Sequence, residues 1–151
     1  MNSEEKTTTI LEDAKINIKT KLAALWATVM FLYIYVDIFG LFVPGHIESI
    51  IAGEVPTTGI QIDQAYLFSA IVLMMIPSLM IFLSIVLKAR MNRWANIIVG
   101  ISQIAIILGS AIGESYVYYI SGTIVEAILL SLIIWYAWKW PKQEERKAVA
   151  T

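Results

Sequence analysis

The chain has 151 residues, room for one domain, and 58% of them are hydrophobic. Eleven Lys and Arg nearly balance twelve Asp and Glu, so the net charge of −1 gives no electrostatic reason to expect a nucleic-acid partner. The absence of cysteine excludes disulfides and thiolate metal sites, and a single histidine excludes a haem held by two histidines. We therefore expect no metal and no cofactor.

Four long apolar segments follow one another along the chain. They cover residues 22–43, 65–87, 94–113 and 115–138. The only charges inside them are Asp37 and Glu126. A helix needs about 20 apolar residues to cross the hydrocarbon core of a bilayer, and each segment is at least that long. The sequence therefore predicts an all-α fold, in which residues 1–151 form one integral membrane domain built as a bundle of four transmembrane helices.

Lysine and arginine occur in three places: before the first segment, between the second and third, and after the fourth. Cytoplasmic loops carry the excess of these residues, so the pattern predicts a multi-pass protein of the cell inner (plasma) membrane with both termini in the cytoplasm. Trp and Tyr favour headgroup depth, and they predict the same orientation. The inner boundary is expected to hold Trp26, Trp94, Trp135, Trp138 and Trp140, and the outer one Tyr66, Tyr116, Tyr118 and Tyr119.

Two short helices are expected outside the four spans. Residues 9–12 (TILE) match a capping box, which predicts a short amphipathic helix on the cytoplasmic surface. A simple N-terminal extension of the first span is the open alternative. On the outer side, Pro44 predicts the start of a short interfacial helix that Gly53 closes. Asp63 is expected to cap the second span.

Two carboxyl groups lie inside the predicted spans, Asp37 in the first and Glu126 in the fourth. A carboxylate at the bilayer centre costs roughly 2.5–3.5 kcal/mol on insertion scales, so each is expected to face a partner or water. At about 1.5 Å per residue, Glu126 and Gln103 both lie near the midplane, and Asp37 lies about 7 Å closer to the outer surface. Tyr33 and Tyr119 share helical faces with these acids. The five residues therefore predict a polar, aromatic-lined ligand or ion site that widens toward the outside.

Other interpretations of the polar and small residues stay open. A protonated Glu126 hydrogen-bonded to Gln103 would simply join the third and fourth spans. Pro77 predicts a kink in the second span, because it cannot donate to the carbonyl of Leu73. Small residues spaced by four let helices approach closely, so they predict a contact within the bundle or a homo-oligomer. The residues with this spacing in the third span are Ala105, Gly109 and Gly113.

Several segments resemble a family of small prokaryotic four-helix integral membrane proteins that is classed as a domain of unknown function. The resemblance covers the chain from about Leu22 to Trp140. It implies the fold and the membrane location, and it implies no activity. The segments that carry it are residues 33–38 (YIYVDI), 41–45 (LFVPG), 92–98 (NRWANII) and 133–138 (IIWYAW).

Three functions are compatible with these features. The first is a membrane protein that binds or transports a small cation, a proton or an amphipathic, lipid-like ligand. The second is an accessory or assembly subunit of a membrane complex. The third is a lipid-modifying enzyme, since the architecture is similar to that of small four-helix sterol-isomerase-like proteins, although no motif of theirs is matched. The sequence contains no nucleophile–base constellation or phosphate-binding loop, so the question of enzymatic activity is left open, with binding favoured.

Overall fold

The protein is described by a computed structural model that covers residues 14–141. These residues form helices α1 (Ile18–Gly40), α2 (His46–Ile51), α3 (Gln64–Val86), α4 (Ala89–Ser110) and α5 (Val117–Trp138). All except α2 are long and apolar enough to cross a membrane. The prediction of an all-α, multi-pass membrane protein with four spanning helices is confirmed, and α2 is the short helix expected between the first two spans.

The start of α1 bears on the predicted N-terminal helix. Asn17 caps α1, and its Oδ1 accepts a hydrogen bond of 2.9 Å from the backbone N–H of Lys19. Residues 14–17 are not helical, so no continuous helix extends the span backward through them. The capping box at residues 9–12 lies outside the described residues.

The other boundaries follow from local chemistry. Asp63 caps α3 as predicted, because its Oδ1 accepts from the backbone N–H of Tyr66 at 2.8 Å. Gly45 and Gly53 flank α2 with φ of 87° and 81°, a conformation that glycine adopts without strain. The start of α4 differs from the prediction, since the helix begins at Ala89 rather than near residue 94. Hydropathy identifies only the apolar part of a helix. α4 begins about one turn earlier, in the more polar residues that precede that part.

The four long helices form a closed ring in the order α1, α3, α4, α5. α1 packs on α3 and α5, and α4 packs extensively on α5, but the contact between α3 and α4 is the least extensive of the four. We call the end where α1 begins and α5 finishes the terminal end, and the opposite end the α2 end. The core comprises Leu22, Trp26, Val29 and Tyr33 of α1, with Met80, Ile107, Leu130 and Ile133 of the other helices.

A buried hydrogen-bond network ties three helices together in the terminal half. The indole Nε1 of Trp26 donates to Asn96 Oδ1 at 2.7 Å, and the hydroxyl of Ser84 donates to the same oxygen at 3.3 Å. Asn96 Nδ2 donates to Asn92 Oδ1 at 2.6 Å, and Asn92 Nδ2 donates to the backbone carbonyl of Ser84. All four side chains are fully buried. Trp26, expected at the inner boundary, is therefore buried inside the bundle, with its indole bonded to Asn96.

Candidate functional site

A cavity of about 370 Å³ lies between α1, α3, α4 and α5 in the half of the bundle nearer the α2 end. All five residues predicted for the site line this inner cavity, at the positions where the helical spacing puts them. They are Tyr33, Asp37, Gln103, Tyr119 and Glu126. Glu126 and Gln103 are only 4% and 2% exposed, whereas Asp37 is exposed. The structure therefore brings the predicted residues together around one cavity, with a deep carboxyl group and a shallow one.

The deep carboxyl group is unsatisfied. The Oε1 atom of Glu126 is buried and has no hydrogen-bond partner among residues 14–141. The bond to Gln103 that a purely structural role would require is not formed. Instead, Gln103 Oε1 accepts a hydrogen bond of 3.3 Å from the hydroxyl of Tyr33. A buried polar oxygen without a partner is costly, so this position suits a proton, a water molecule or a ligand.

Asp37 lies where the inner cavity meets a second, outer cavity of about 190 Å³. The two cavities share Val36, Asp37 and Tyr119. Residues of α2 and of the connection that follows it line the outer cavity, among them His46 and Pro56. The outer cavity therefore lies next to the inner one on the side of the α2 end, and Asp37 lines both.

Hydroxyl groups complete the wall between the two acids. The Tyr119 hydroxyl donates to Ser110 Oγ at 2.9 Å, which links α5 to α4 beside the inner cavity.

Tyr66 of α3 also lines the inner cavity, although the sequence predicts it only as an interfacial residue. The signal that could have found it is the spacing of Tyr66, Ala70 and Met74, which all line the cavity. Because α3 is apolar all round, no polar stripe distinguishes that face.

The charged residues that line the inner cavity are all acidic. Its lining residues include two acids and no Lys, Arg or His. Within the part of the chain that the structure describes, no three His, Asp or Glu side chains are grouped to hold a metal ion. The two carboxyl groups and the tyrosine rings are therefore the groups available to a ligand, together with the Gln103 amide.

The stripe of small residues along α4 and the turn that follows it lies apart from this site. Ala105, Gly109 and Gly113 are all exposed, and a Cβ atom added at either glycine would meet nothing within 4 Å. No helix among the described residues packs against the stripe. The homo-oligomer expected through it stays a prediction.

Comparison with known proteins identifies a family and adds no activity. No curated protein and no solved structure matches the chain. The family model of DUF6326, described as a family of unknown function, matches residues 9–147. The match covers nearly the whole chain, including every helix described above. The chain belongs to the DUF6326 family.

Proposed function

We propose that this protein binds a small cation in the inner cavity, with Glu126 and Asp37 supplying the negative charge. The observation that carries the proposal is the buried Glu126 carboxyl group, whose Oε1 has no partner within the described residues. A second acid lines the same cavity, and no basic side chain there offsets either of them. A buried charge in a protein is paired, so the buried Glu126, which lies in the same cavity as Asp37 and has no cation of its own, fits a cation supplied from outside.

The rest of the lining favours an organic cation. Tyr33, Tyr66 and Tyr119 all line the cavity, and the faces of aromatic rings attract ammonium groups. The Gln103 Nε2 atom can donate to a polar group of the ligand, since its Oε1 is already engaged by Tyr33. The cavity volume of about 370 Å³ falls within the range of about 300–1,000 Å³ that is usual for small-molecule sites. An amine with a compact apolar body fits these properties.

The ligand would reach the site from the α2 end. The distribution of Lys and Arg predicts that both termini lie in the cytoplasm of a plasma-membrane protein, and in that orientation the outer cavity would face the outside. The terminal half is closed by the network around Trp26 and Asn96. We therefore propose binding from outside as the basic activity, and transport would need this network to open.

Benzylamine and its neutral counterpart benzyl alcohol provide a direct test. The purified protein in phosphatidylcholine nanodiscs would be titrated with each compound while the midpoint of thermal unfolding is followed. A ligand that binds only the folded state raises that midpoint, so benzylamine should raise it and benzyl alcohol should not. Glu126→Gln and Asp37→Asn should each weaken the benzylamine effect. Glu48→Gln is the matched control, because Glu48 is exposed on α2 and lines neither cavity.

Three results would refute the proposal. An equal shift by benzylamine and benzyl alcohol would mean that charge plays no part. Unchanged benzylamine binding in Glu126→Gln would mean that the buried acid is not the binding group. Loss of binding in all three variants, the Glu48 control included, would point to a general effect of surface charge and would also count against the site.

A further inference from the structure

An apolar groove runs along the lipid-facing side of the bundle between α3 and α4. It has a volume of about 390 Å³, and its wall on α3 includes Phe68, Val72 and Ile76. Gln103 and Ile106 of α4 line both this groove and the inner cavity. These two side chains are therefore the partition between the polar cavity and a surface that faces hydrocarbon.

The partition lies where the bundle is least tightly packed. The contact between α3 and α4 is the least extensive in the ring. The buried residues of α3 are Pro77, Met80 and Ser84, and none of residues 64–76 is buried. Pro77 has no N–H to donate to the carbonyl of Leu73, so the helix is weakened where its anchored part meets its loosely packed part. The half of α3 that borders the groove can therefore move relative to α4 without disrupting the core.

From this geometry we infer the class of ligand: an amphipathic amine, held with its ammonium group at Asp37 and Glu126 and its hydrocarbon chain in the groove between α3 and α4. This inference rests on the proposed cation site. It adds the groove, which matches the second half of such a molecule in both polarity and position. The chain of the ligand would pass Gln103 and Ile106 and lie against lipid along its length, so neither end of the molecule would be placed in an unsuitable environment.

The same geometry gives a long-chain ligand a second route, sideways from the bilayer, in addition to the route through the outer cavity. An amphipathic amine partitions into the membrane with its charge at headgroup depth and its chain in the core. Asp37 lies nearer the α2 end than Glu126 does, so the ammonium group would meet Asp37 first and Glu126 on deeper insertion. Since lipid is as apolar as the groove, the chain gains little by the transfer, and the carboxyl groups supply the selectivity for amine over neutral amphiphiles.

A substitution that fills the groove and leaves the cavity unchanged tests the contributions of the chain and the ammonium group separately. Ser69 lines the groove, is exposed, and does not line the inner cavity. Its hydroxyl donates to the carbonyl of Ala65 in its own helix at 2.8 Å. The matched control is Ser131 of α5, which is exposed, lies in a different surface groove and makes the same bond to Ala127 at 2.7 Å.

Binding of dodecylamine and benzylamine would be measured by thermal unfolding of Ser69→Trp, Ser131→Trp and wild type in phosphatidylcholine nanodiscs. Dodecanol serves as the neutral long-chain reference, and amphiphile doses are expressed per lipid. We expect Ser69→Trp to weaken dodecylamine binding roughly tenfold or more, because the indole would occupy the space of the chain and the ammonium group could then reach the carboxyl groups only with the chain displaced. Benzylamine binding should stay within about twofold of wild type in the same variant, and Ser131→Trp should alter neither.

The outcomes distinguish this inference from the proposed function. Unchanged dodecylamine binding in Ser69→Trp would overturn the groove assignment while leaving the cation site intact. Equal weakening of both amines in Ser69→Trp would also overturn it, because the groove would then not act separately from the cavity. A wild-type protein that binds neither amine would refute the cation site itself, and an equal effect of dodecylamine and dodecanol would mean that the chain alone is recognised.

Discussion

Two glycines of α4 provide a sharp test of how α4 and α5 fit together. A Cβ atom built on Gly100 would lie 2.8 Å from Cγ1 and 3.3 Å from Cδ1 of Ile134, whereas one built on Gly109 would meet nothing within 4 Å. Both glycines lie inside the helix, so an alanine at either position gains helix propensity. Only the alanine at position 100 must displace a neighbour.

The magnitudes can be estimated for each substitution. Gly109→Ala should stabilise the fold by about 0.5–1 kcal/mol, through propensity and a less flexible unfolded chain. Gly100→Ala gains the same amount and loses about 1–3 kcal/mol to overpacking. Ile134 cannot move freely out of the way, because a β-branched residue in a helix strongly prefers one rotamer. Gly100→Ala should therefore be destabilised by about 0–2 kcal/mol, and should be about 1–3 kcal/mol less stable than Gly109→Ala.

The assay is reversible unfolding in mixed micelles titrated with a denaturing detergent, followed by tryptophan fluorescence. A third variant, Ile134→Ala, removes the atoms that the new Cβ would strike. Combined with Gly100→Ala it should show a favourable coupling energy of about 1–3 kcal/mol in a double-mutant cycle. If Gly100→Ala proves as stable as Gly109→Ala, or the coupling energy is zero, then the close approach of α4 and α5 at Ile134 is wrong. The position of Gln103 relative to Glu126 would then be wrong as well.

Three further predictions follow from burial and hydrogen bonding. Asn96→Leu should destabilise the fold by about 2–3 kcal/mol, since it leaves the Trp26 indole donor and a second buried donor unsatisfied, and unfolding in mixed micelles measures the loss. The chain has no cysteine, so Asp37→Cys introduces a single thiol. Because position 37 is exposed, that thiol should react with a water-soluble maleimide. Leu130→Cys, at a fully buried position, should not react. Equal labelling of the two variants would contradict the difference in exposure between positions 37 and 130. Gly109→Leu should not destabilise the monomer, because leucine is a better helix former than glycine and a Cβ atom there meets no neighbour, but it should reduce the size of any oligomer in gel filtration. An oligomer of unchanged size would exclude the small-residue stripe as its interface.

The spacing of polar residues along each helix was enough to predict the inner cavity. Tyr33 and Asp37 are four residues apart in α1, and Tyr119 and Glu126 are seven apart in α5, so each pair shares one helix face. A polar face in a membrane helix avoids lipid, and four short helices leave only the bundle interior for it. Residue spacing is a local property of each helix, so it predicts which residues line the inner cavity before the packing of the helices is known.

The buried network of the terminal half could not be predicted in the same way. The apolar segment that defined the third span starts at residue 94, so Asn92 was assigned to a connection rather than to the helix interior. Trp26 satisfies the usual statistics for an interfacial tryptophan, and only the position of Asn96 across the bundle shows why it is inside. Tyr66 was missed for a related reason, because the helix that carries it has no contrasting polar face.

The buried amide side chains of the bundle and its buried carboxyl group differ in how their polar atoms are satisfied, and this difference bears on function. In the terminal half, Trp26, Asn92 and Asn96 bond one another or a neighbouring carbonyl. In the α2 half, Tyr33 and Gln103 bond each other, and the carboxyl group of Glu126 is left over, with Oε1 unsatisfied among the described residues. A fold that needed only a polar tie at this depth would be served by an amide, which can donate and accept without the cost of a charge. The carboxyl group of Glu126 lies beside the Tyr33–Gln103 hydrogen bond, in a cavity that Asp37 also lines. It is better suited to reversible binding of a ligand than to joining two helices.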